Sequence, residues 1–300
     1  MFKFEAKVHK INANREKLIT QFSKINIFYN IALKFKTTEM KKVFISGISK
    51  GIGRSIAEKL SKQNEFKVIG SCRNPETITD KLQGVEYIAL DLSNSSNIQT
   101  CAKQLQDIDI MINNAGQSQI GAIEEVAMDK IRGMYEINLF GNMELIQAVV
   151  GQMRQKKSGL IINIGSMTGS FALPLYTSYC TSKAAFQMFS MCIRQELGQF
   201  GIKVAHIEPN DIKTTITPDL IFKEGGAYEK LAQTVREQVR LKMAKAEDPI
   251  IVANLVDKII HTNKPKARYT VGGNGNFLVF MKRFVSDSFI EKSTMKLYGL

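Results

Sequence analysis

The sequence has little of what metal-binding and disulfide-stabilised proteins need. Its 300 residues include no tryptophan, three histidines and four cysteines. The histidines are scattered without the spacing of metal ligands: His9, His206 and His261. The cysteines form neither a Cys-x-x-Cys pair nor a small disulfide framework: Cys72, Cys101, Cys180 and Cys192. We therefore predict no metal and a reducing, cytoplasmic setting.

The chain also lacks long apolar runs and nucleic-acid motifs. No run approaches the ~18 residues that span a bilayer. The net charge is +13, but the basic residues are spread out and have no aromatic stacking platform among them, so we predict no nucleic-acid partner. No linker-like tract of Pro, Gly or Ser divides residues 41–272, and 44% of the chain is hydrophobic. One large domain is the expectation.

What the chain does have is a regular alternation of short apolar runs and helical patterns. This alternation predicts an α/β fold with a parallel sheet and helices on both faces. Seven strands are predicted, at about residues 42–46, 66–71, 85–90, 108–113, 159–165, 202–207 and 268–272. Ligands of such sheets bind at the carboxyl ends of the strands.

A glycine-rich loop follows the first predicted strand. Gly47, Gly51 and Gly53 stand between Ser46 and the helical pattern that begins at Arg54. Glycines let the backbone turn sharply and approach a pyrophosphate, whose charge a helix N-terminus favours. The alternative is an ordinary tight turn between a strand and a helix.

Three residues could perform acid/base chemistry. Tyr179 and Lys183 are one helical turn apart, and Ser166 ends a strand-like run thirteen residues before Tyr179. An ammonium at i+4 favours the phenolate, which makes Tyr179 a candidate general acid/base. A Tyr-x-x-x-Lys motif is expected about once by chance in a lysine-rich chain, so it needs the other motifs for support.

Together these motifs resemble the short-chain dehydrogenase/reductase family, in its order and spacing, from about Lys41 to Gly272. The matching residues are Ser46-Gly47-x-x-x-Gly51-x-Gly53, Asp91-Leu92, Asn113-Asn114-Ala115-Gly116, Asn138, Ser166, Tyr179-x-x-x-Lys183 and Pro209. The resemblance implies a single doubly wound Rossmann domain whose seven strands are ordered 3-2-1-4-5-6-7. It also implies an NADP(H)- or NAD(H)-dependent enzyme acting on the CH-OH group of its donors.

The resemblance assigns a role to each matching residue. Ser166 is expected to stabilise the substrate oxygen and Tyr179 to exchange the proton. Lys183 is expected to lower the Tyr179 pKa and to hold the nicotinamide ribose, and Asn138 to anchor a water between Lys183 and solvent; an exposed mid-helix Asn is the alternative. The cofactor-binding residues implied are Gly47, Ser49, Lys50, Gly51, Ile52, Gly53, Arg73, Asp91, Leu92, Asn114, Ala115, Gly116, Tyr179, Lys183, Pro209 and Thr214.

Charge selects the cofactor. An enzyme that prefers NAD is expected to place a carboxylate after the second strand, on the ribose 2′-hydroxyl, but the residues there are Cys72, Arg73 and Asn74. Arg73 and Lys50 can instead pair with a 2′-phosphate. NADP(H) is therefore predicted. The alternative is that both are ordinary solvated cations.

Two residues depart from the family pattern. Ser46 replaces the usual Thr and keeps the hydroxyl. Asn210 replaces the Gly that usually follows the proline, which puts the shape of that loop in doubt.

A lid is predicted over residues 210–247, and the pocket is expected to be lined by Phe171, Leu173, Pro174, Leu175 and Tyr176.

Residues after Ala267 resemble the family's 17β-hydroxysteroid/retinol dehydrogenase-like and acyl-dihydroxyacetone-phosphate reductase-like branch. This suggests a hydrophobic alcohol and its ketone or aldehyde as the substrate pair. The alternatives are a 3-oxoacyl-thioester reductase of lipid synthesis, a non-catalytic NADP(H)-binding sensor and a membrane-surface lipid-binding module. The apolar residues of the tail could equally be core or dimer contacts.

The chain is predicted to have three parts. Residues 1–39 are a basic extension with eight Lys/Arg against three Glu, expected to be disordered, an unused start or an amphipathic surface helix through Ile19, Phe22, Ile25, Ile27, Phe28 and Ile31. Residues 40–275 are the catalytic domain and 276–300 a tail. Apolar positions in excess of one stripe on the helices near 127–155 and 177–199 predict a homodimer or homotetramer: Met134, Ile137, Leu145, Val149, Phe186, Phe189 and Met191.

Overall fold

A parallel sheet of seven strands organises the chain. The structure is a computed structural model that describes residues 40–213 and 218–300. The described residues include nine strands, seven of which form this sheet: β1 Lys41–Ser46, β2 Phe66–Cys72, β3 Val85–Ala89, β4 Ile110–Asn113, β5 Gln119–Gly121, β6 Gly159–Ile164, β7 Ile202–Pro209, β8 Asp219–Ile221 and β9 Arg268–Val271. The main sheet has the order β3-β2-β1-β4-β6-β7-β9, which confirms the predicted doubly wound Rossmann arrangement.

Helices cover both faces of this sheet. They are α1 Gly51–Ser61, α2 Ser95–Gln104, α3 Met128–Tyr135, α4 Gly141–Lys156, α5 Thr177–Gly198, α6 Glu229–Lys245, α7 Ile250–Ile260, α8 Gly275–Met281 and α9 Asp287–Tyr298. A wider helical turn, Glu136–Phe140, joins α3 to α4. The predicted extension 1–39 and Thr214 lie outside the described residues.

Alternation along the strands divides the core into two layers. Val43 and Ile45 of β1 pack with α1 and α7, whereas Phe44, between them, packs with α2 and α4 on the other face. Successive strand side chains point to opposite faces, so a strand buried on both sides must be apolar throughout. All three residues are fully buried, and each contributes about 1.5–3 kcal/mol by leaving water.

A row of buried polar side chains crosses β4, β6 and β7. Asn113 Nδ2 donates to Asn163 Oδ1 at 2.8 Å, and Asn163 Nδ2 donates to Ser190 Oγ at 2.8 Å. Ser190 Oγ also lies 3.0 Å from His206 Nδ1. Burial lowers the pKa of His206 to about 3, so this imidazole is neutral at physiological pH. The row joins the strands just before the loop that carries Ser166.

The predicted strand boundaries differ from the observed ones by at most two residues, and one small sheet was missed. β4 begins at Ile110 rather than at 108, and a side-chain oxygen of Asp109 accepts a hydrogen bond from the Lys42 backbone at 2.9 Å. β5 and β8 form a separate two-stranded parallel sheet. Each has three residues, too few for period-two alternation to appear in the sequence.

The helices predicted to form a dimer interface have most of their apolar residues in the core. Met134, Leu145, Val149 and Phe186 are at most 1% exposed within a single chain. The excess of apolar positions on α4 and α5 therefore arises because these helices are buried deeply, and it does not describe a free apolar face. Met188 of α5 is the exposed exception, at 64%.

The segment predicted as a tail contains α8 and α9. Tyr298, at the end of α9, is buried in a third apolar cluster with Tyr176, Ala232 and Val235. No helix within residues 40–213 and 218–300 is both long and apolar enough to cross a membrane.

Candidate active site

A cavity of about 430 Å³ opens at the carboxyl ends of the main strands and gathers most of the predicted residues. Its wall includes Gly47, Ser49, Lys50, Ile52, Arg73, Asp91, Leu92, Asn114, Ala115, Gly116, Ser166, Tyr179, Lys183 and Pro209. Gly51 and Gly53 lie in the first turn of α1 behind the loop, and Asn138 lies behind Gly116. The position of the cavity follows from the parallel sheet, because all strand ends meet at one edge.

The glycine loop is held closely against the end of β4. Gly47 has φ +76°, and a Cβ built there would lie 2.9 Å from the Ala115 Cα, so a larger residue would meet both strain and collision. Ser46 Oγ accepts from the backbone N–H of Asn114 and of Ala115, each at 3.0 Å. Asn114 Nδ2 in turn donates to the Ser46 carbonyl at 3.0 Å. The hydroxyl of Ser46 therefore performs a bridging task, which explains why Ser can replace Thr here.

Asn138 is fully buried in the turn between α3 and α4, which excludes the exposed alternative. Its Oδ1 accepts from the Gln117 N–H at 2.9 Å, and its Nδ2 donates to the Gln117 carbonyl at 3.0 Å and to Ser182 Oγ at 3.1 Å. A Cβ on Gly116 would lie 3.0 Å from Asn138 Oδ1 and 3.2 Å from Lys183 Nζ. Asn138 thus ties the loop after β4 to α5 beside Lys183.

Ser166, Thr168 and Tyr179 form a group of hydroxyls. Ser166 caps the short helical turn Met167–Gly169, and Thr168 Oγ1 donates to Ser166 Oγ at 2.9 Å. Burial raises the pKa of the Tyr179 phenol, while side-chain hydrogen bonds with Ser166 and Thr168 act in the opposite direction. Both hydroxyls therefore favour the ionised form of the phenol.

The expected effect of Lys183 on Tyr179 differs from what the structure shows. Lys183 Nζ is 5.9 Å from the centre of the Tyr179 ring, and burial lowers the Lys183 pKa to about 8. The Tyr179 pKa is raised, not lowered, because burial outweighs the hydrogen bonds. Helical spacing predicted the proximity of the two groups but could not predict their depth.

Positive charge lies at the opposite end of the cavity, beside the N-terminus of α1. Lys50 and Arg73 are exposed and both line the cavity. Asp91 lies beside them; hydrogen bonds from Ser93 and the charge of Arg73 lower the pKa of this carboxyl, against burial. The helix N-terminus and the two cations suit a phosphate group.

The other side of the cavity is largely apolar. Leu173, Tyr176, Val239, Met243 and Tyr298 line it, together with Asp211, Ile212, Pro218 and Lys242. Three residues expected here, Phe171, Pro174 and Leu175, are not among those that line the cavity. Phe171 lies under Lys282, whose Nζ is 5.1 Å from the ring centre, and Leu175 is buried in the third apolar cluster.

In the loop after Pro209, the residue with left-handed backbone conformation lies one position later than expected. Asp211 has φ +44°, whereas Asn210 is not in that region. Asp is among the residues that tolerate this conformation after Gly, so the loop turns without a glycine.

Sequence reasoning missed three residues of this site: Thr168, Gln117 and Tyr298. Thr168 stands two positions after Ser166, where a Ser-capped turn could have suggested a second hydroxyl. Gln117 contacts Asn138 through its backbone, so its residue type carries no signal. Tyr298 reaches the cavity only through the packing of α9, which no local pattern reveals.

Comparisons with known proteins agree with this fold. The short chain dehydrogenase family matches residues 41–224, and the chain belongs to that family of oxidoreductases. The oxidoreductase BOA17 of Botryotinia fuckeliana is 30% identical over 248 residues, 76% of this chain and 88% of its own length. The 3-ketodihydrosphingosine reductase of Bacteroides thetaiotaomicron is 29% identical over 240 residues, 77% of this chain and 87% of its own.

Solved structures share the architecture. A short-chain dehydrogenase from Streptomyces avermitilis superimposes with a TM-score of 0.73 at 27% identity, covering 87% of this chain and 97% of its own. A short chain dehydrogenase from Burkholderia cenocepacia, solved in complex with NADP, has a TM-score of 0.69 at 20% identity, covering 86% and 98%.

Proposed function

We propose that this protein is an NADP(H)-dependent oxidoreductase that interconverts a hydrophobic alcohol and its ketone or aldehyde, with Tyr179 as the general acid/base. The observation that carries the proposal is that one cavity is lined both by the glycine loop with its two cations and by Ser166, Tyr179 and Lys183. This arrangement suits a phosphate-bearing cofactor beside an acid/base group.

The chain's own residues would manage the proton. NADPH, when bound, supplies a hydride. Ser166 would stabilise the charge developing on the substrate oxygen, and Tyr179, whose raised pKa keeps the phenol protonated at neutral pH, would donate its proton to that oxygen. Lys183, with a pKa of about 8, carries a proton near neutrality and lies beside the Tyr179 ring, from where it would replenish the proton of the phenol. Asn138 would hold the path from Lys183 towards solvent.

Preference for NADP(H) rests on charge. Lys50 and Arg73 border the cavity, and each could donate a charge-assisted hydrogen bond to a 2′-phosphate. Asp91 lines the same cavity and would meet the adenine, as the family resemblance implies. The NADP-bound structure from Burkholderia cenocepacia supports the same cofactor.

The substrate class is inferred from the lining. Leu173, Val239 and Met243 would accept an apolar chain or ring. The relative that reduces 3-ketodihydrosphingosine, by its name, supports a hydrophobic ketone. A 3-oxoacyl thioester is the alternative substrate, and the exposed side chains near Lys242 would then meet its polar carrier. A non-catalytic sensor would not need Ser166, Tyr179 and Lys183 in one cavity. The reducing, cytoplasmic setting stays part of the proposal.

A substrate panel tests this proposal. Dialysed full-length protein would be mixed with NADPH and with long-chain ketones, aldehydes, short ketones and 3-oxoacyl thioesters, and cofactor oxidation followed. Oxidation with long-chain ketones or aldehydes supports the proposal. Oxidation confined to thioesters would identify the alternative substrate, and NADPH binding without any oxidation would identify a sensor.

We also propose a homodimer or homotetramer assembled through α4 and α5. Most of the apolar residues from which the sequence predicts this assembly lie in the core. The proposal therefore rests on the family resemblance and on exposed residues of that region such as Met188 and Phe140. Sedimentation at micromolar concentration should show a dimer or tetramer, and Met188→Asp should shift it towards monomer. Only monomer in the parent would exclude this assembly.

A further inference from the structure

Helix α8 presents an aromatic face to solvent. Phe277, Phe280 and Phe284 are 61%, 55% and 69% exposed. Backbone hydrogen bonds continue the helical turn from Met281 to Phe284, so these residues at i, i+3 and i+7 share one side. The rings of Phe280 and Phe284 have centroids 5.1 Å apart. An exposed cluster of this kind commonly marks an interaction surface, whereas single exposed apolar residues do not.

The opposite face of α8 is basic. Val279, Lys282 and Arg283 border a recess of about 310 Å³, whose other walls are Gly169, Ser170, Gln187 and Arg268. No carboxylate is among these lining residues. Arg268 is matched by the buried Glu208, to which it donates at 3.0 Å from both Nε and Nη2. No carboxylate of this recess therefore balances the charges of Lys282 and Arg283; the contacts of Lys282 Nζ are with the Ser170 carbonyl and the Phe171 ring.

We propose that α8 docks the protein onto an anionic lipid bilayer. The three phenylalanines would enter the boundary between headgroups and acyl chains, while Lys282 and Arg283 would meet the phosphates of the headgroups. A helix with aromatic residues on one face and cations on the other has the composition of an interfacial helix, and each basic residue near an anionic surface adds to the attraction.

Charge favours the bilayer over a second copy of this chain. A two-fold contact between copies brings the same patch against itself, so Lys282 and Arg283 would face the same cations of the partner. An anionic surface instead complements them. Because the whole chain carries a net charge of +13, its long-range field acts in the same direction.

Docking would place the predicted catalytic loop next to the bilayer. Lys282 Nζ donates to the Ser170 carbonyl, and a Cβ on Gly275 would lie 2.7 Å from Met167 Sδ. Helix α8 thus packs on the turn that follows Ser166. Docking would therefore bring the turn that follows Ser166 near the bilayer, independently of which apolar molecule the enzyme converts.

Vesicle flotation of the full chain tests the proposal. The vesicles are phosphatidylcholine alone or phosphatidylcholine with phosphatidylserine. The variants are Phe280→Asp/Phe284→Asp and Arg283→Glu. Matched controls are Ile123→Asp/Met128→Asp, which changes two residues 58% and 55% exposed, and Lys103→Glu, which reverses an exposed charge elsewhere. All variants share residues 1–39, so differences between them report on α8.

The parent and both controls should bind the anionic vesicles, and added salt should weaken this binding. The α8 variants should bind the anionic vesicles at least roughly tenfold more weakly than the parent does. NADPH-dependent turnover of a water-soluble ketone, kept in the variants, shows that they fold; if Phe280→Asp/Phe284→Asp does not fold, Arg283→Gln replaces it. Equal vesicle binding by parent and α8 variants would overturn the proposal. So would a parent that binds neither vesicle, or α8 variants whose sole change is a smaller oligomer in sedimentation.

Discussion

Lys183 Nζ stands 5.9 Å from the centre of the Tyr179 ring, and both side chains line the same cavity. Burial acts on the two pKa values in opposite directions: it lowers that of the Lys183 ammonium to about 8 and raises that of the Tyr179 phenol. In both cases the neutral form is favoured, because a low-dielectric setting penalises charge. A general acid with a raised pKa holds its proton at neutral pH, as carbonyl reduction requires.

Lys183→Met should make the cofactor-free protein more stable at pH 7. The native pKa of Lys183 is about 8 against 10.5 for the ordinary group, so the unfolded state binds more protons between these values and stability rises with pH there. The gain is on the order of 3 kcal/mol at and below pH 8 and should vanish as pH approaches 10.5. Denaturant unfolding at several pH values measures it.

The exposed Lys103→Met serves as the control for this series. It removes the same charge from α2 without relieving burial, so its difference from the parent should not follow pH between 8 and 10.5. A Lys183→Met variant that is less stable than the parent at pH 7 would mean that the ammonium is well solvated or paired.

Thr168→Val should shift the pH dependence of turnover. The Thr168 hydroxyl is one of two that favour the Tyr179 phenolate, so its loss should raise the Tyr179 pKa further. Alcohol oxidation needs the phenolate, and the rising limb of its kcat/KM profile should therefore move to higher pH. Turnover at the optimum should fall by less than about tenfold.

Thr168→Ser keeps the hydroxyl and should restore the parent profile, which separates hydrogen bonding from packing. An unshifted profile in Thr168→Val, or an equal shift in Thr168→Ser, would remove Thr168 from the proton-handling group.

Arg73→Asp should reverse the choice of cofactor. The parent should prefer NADPH over NADH by at least about tenfold in kcat/KM, since two charge-assisted hydrogen bonds are at stake and solvent screens them in part. The aspartate would repel the 2′-phosphate and could accept from the ribose hydroxyls. Because Asp91 lies near Arg73, Arg73→Gln is the milder companion and should only reduce the preference.

Arg132→Asp, at an exposed position of α3, controls for the change in net charge and should leave the ratio of the two kcat/KM values as it is. Equal use of both cofactors by the parent would show that Lys50 and Arg73 are ordinary surface cations.

The order of the main sheet could be predicted because its signals are local. Strands buried on both faces are continuous apolar runs, and each motif residue follows a strand end, so Gly47, Asn114 and Ser166 had to meet at one edge. Short strands such as Gln119–Gly121 have no comparable signal. The choice between Asn210 and Asp211 for the left-handed position also had no local answer, because both residue types tolerate it.

The features that the sequence did not predict depend on how deeply side chains are buried and on packing between distant parts of the chain. The spacing of Tyr179 and Lys183 predicted that they are neighbours, yet the Tyr179 pKa is set first by burial. Tyr298 forms part of the cavity wall because α9 returns to it from the far end of the chain. The apolar residues of α4 and α5 suggested an interface because a pattern along one helix cannot tell core from a partner.

Turnover by Tyr179→Phe tests the central claim most directly. The ring would still pack while the transferable proton is lost, so kcat for ketone reduction should fall by roughly 100-fold or more while the Kd for NADPH stays close to that of the parent. Tyr176→Phe removes a second hydroxyl from the same cavity and should retain turnover to within about tenfold. If Tyr179→Phe itself turns over within about tenfold of the parent, Tyr179 is not the acid/base of this enzyme.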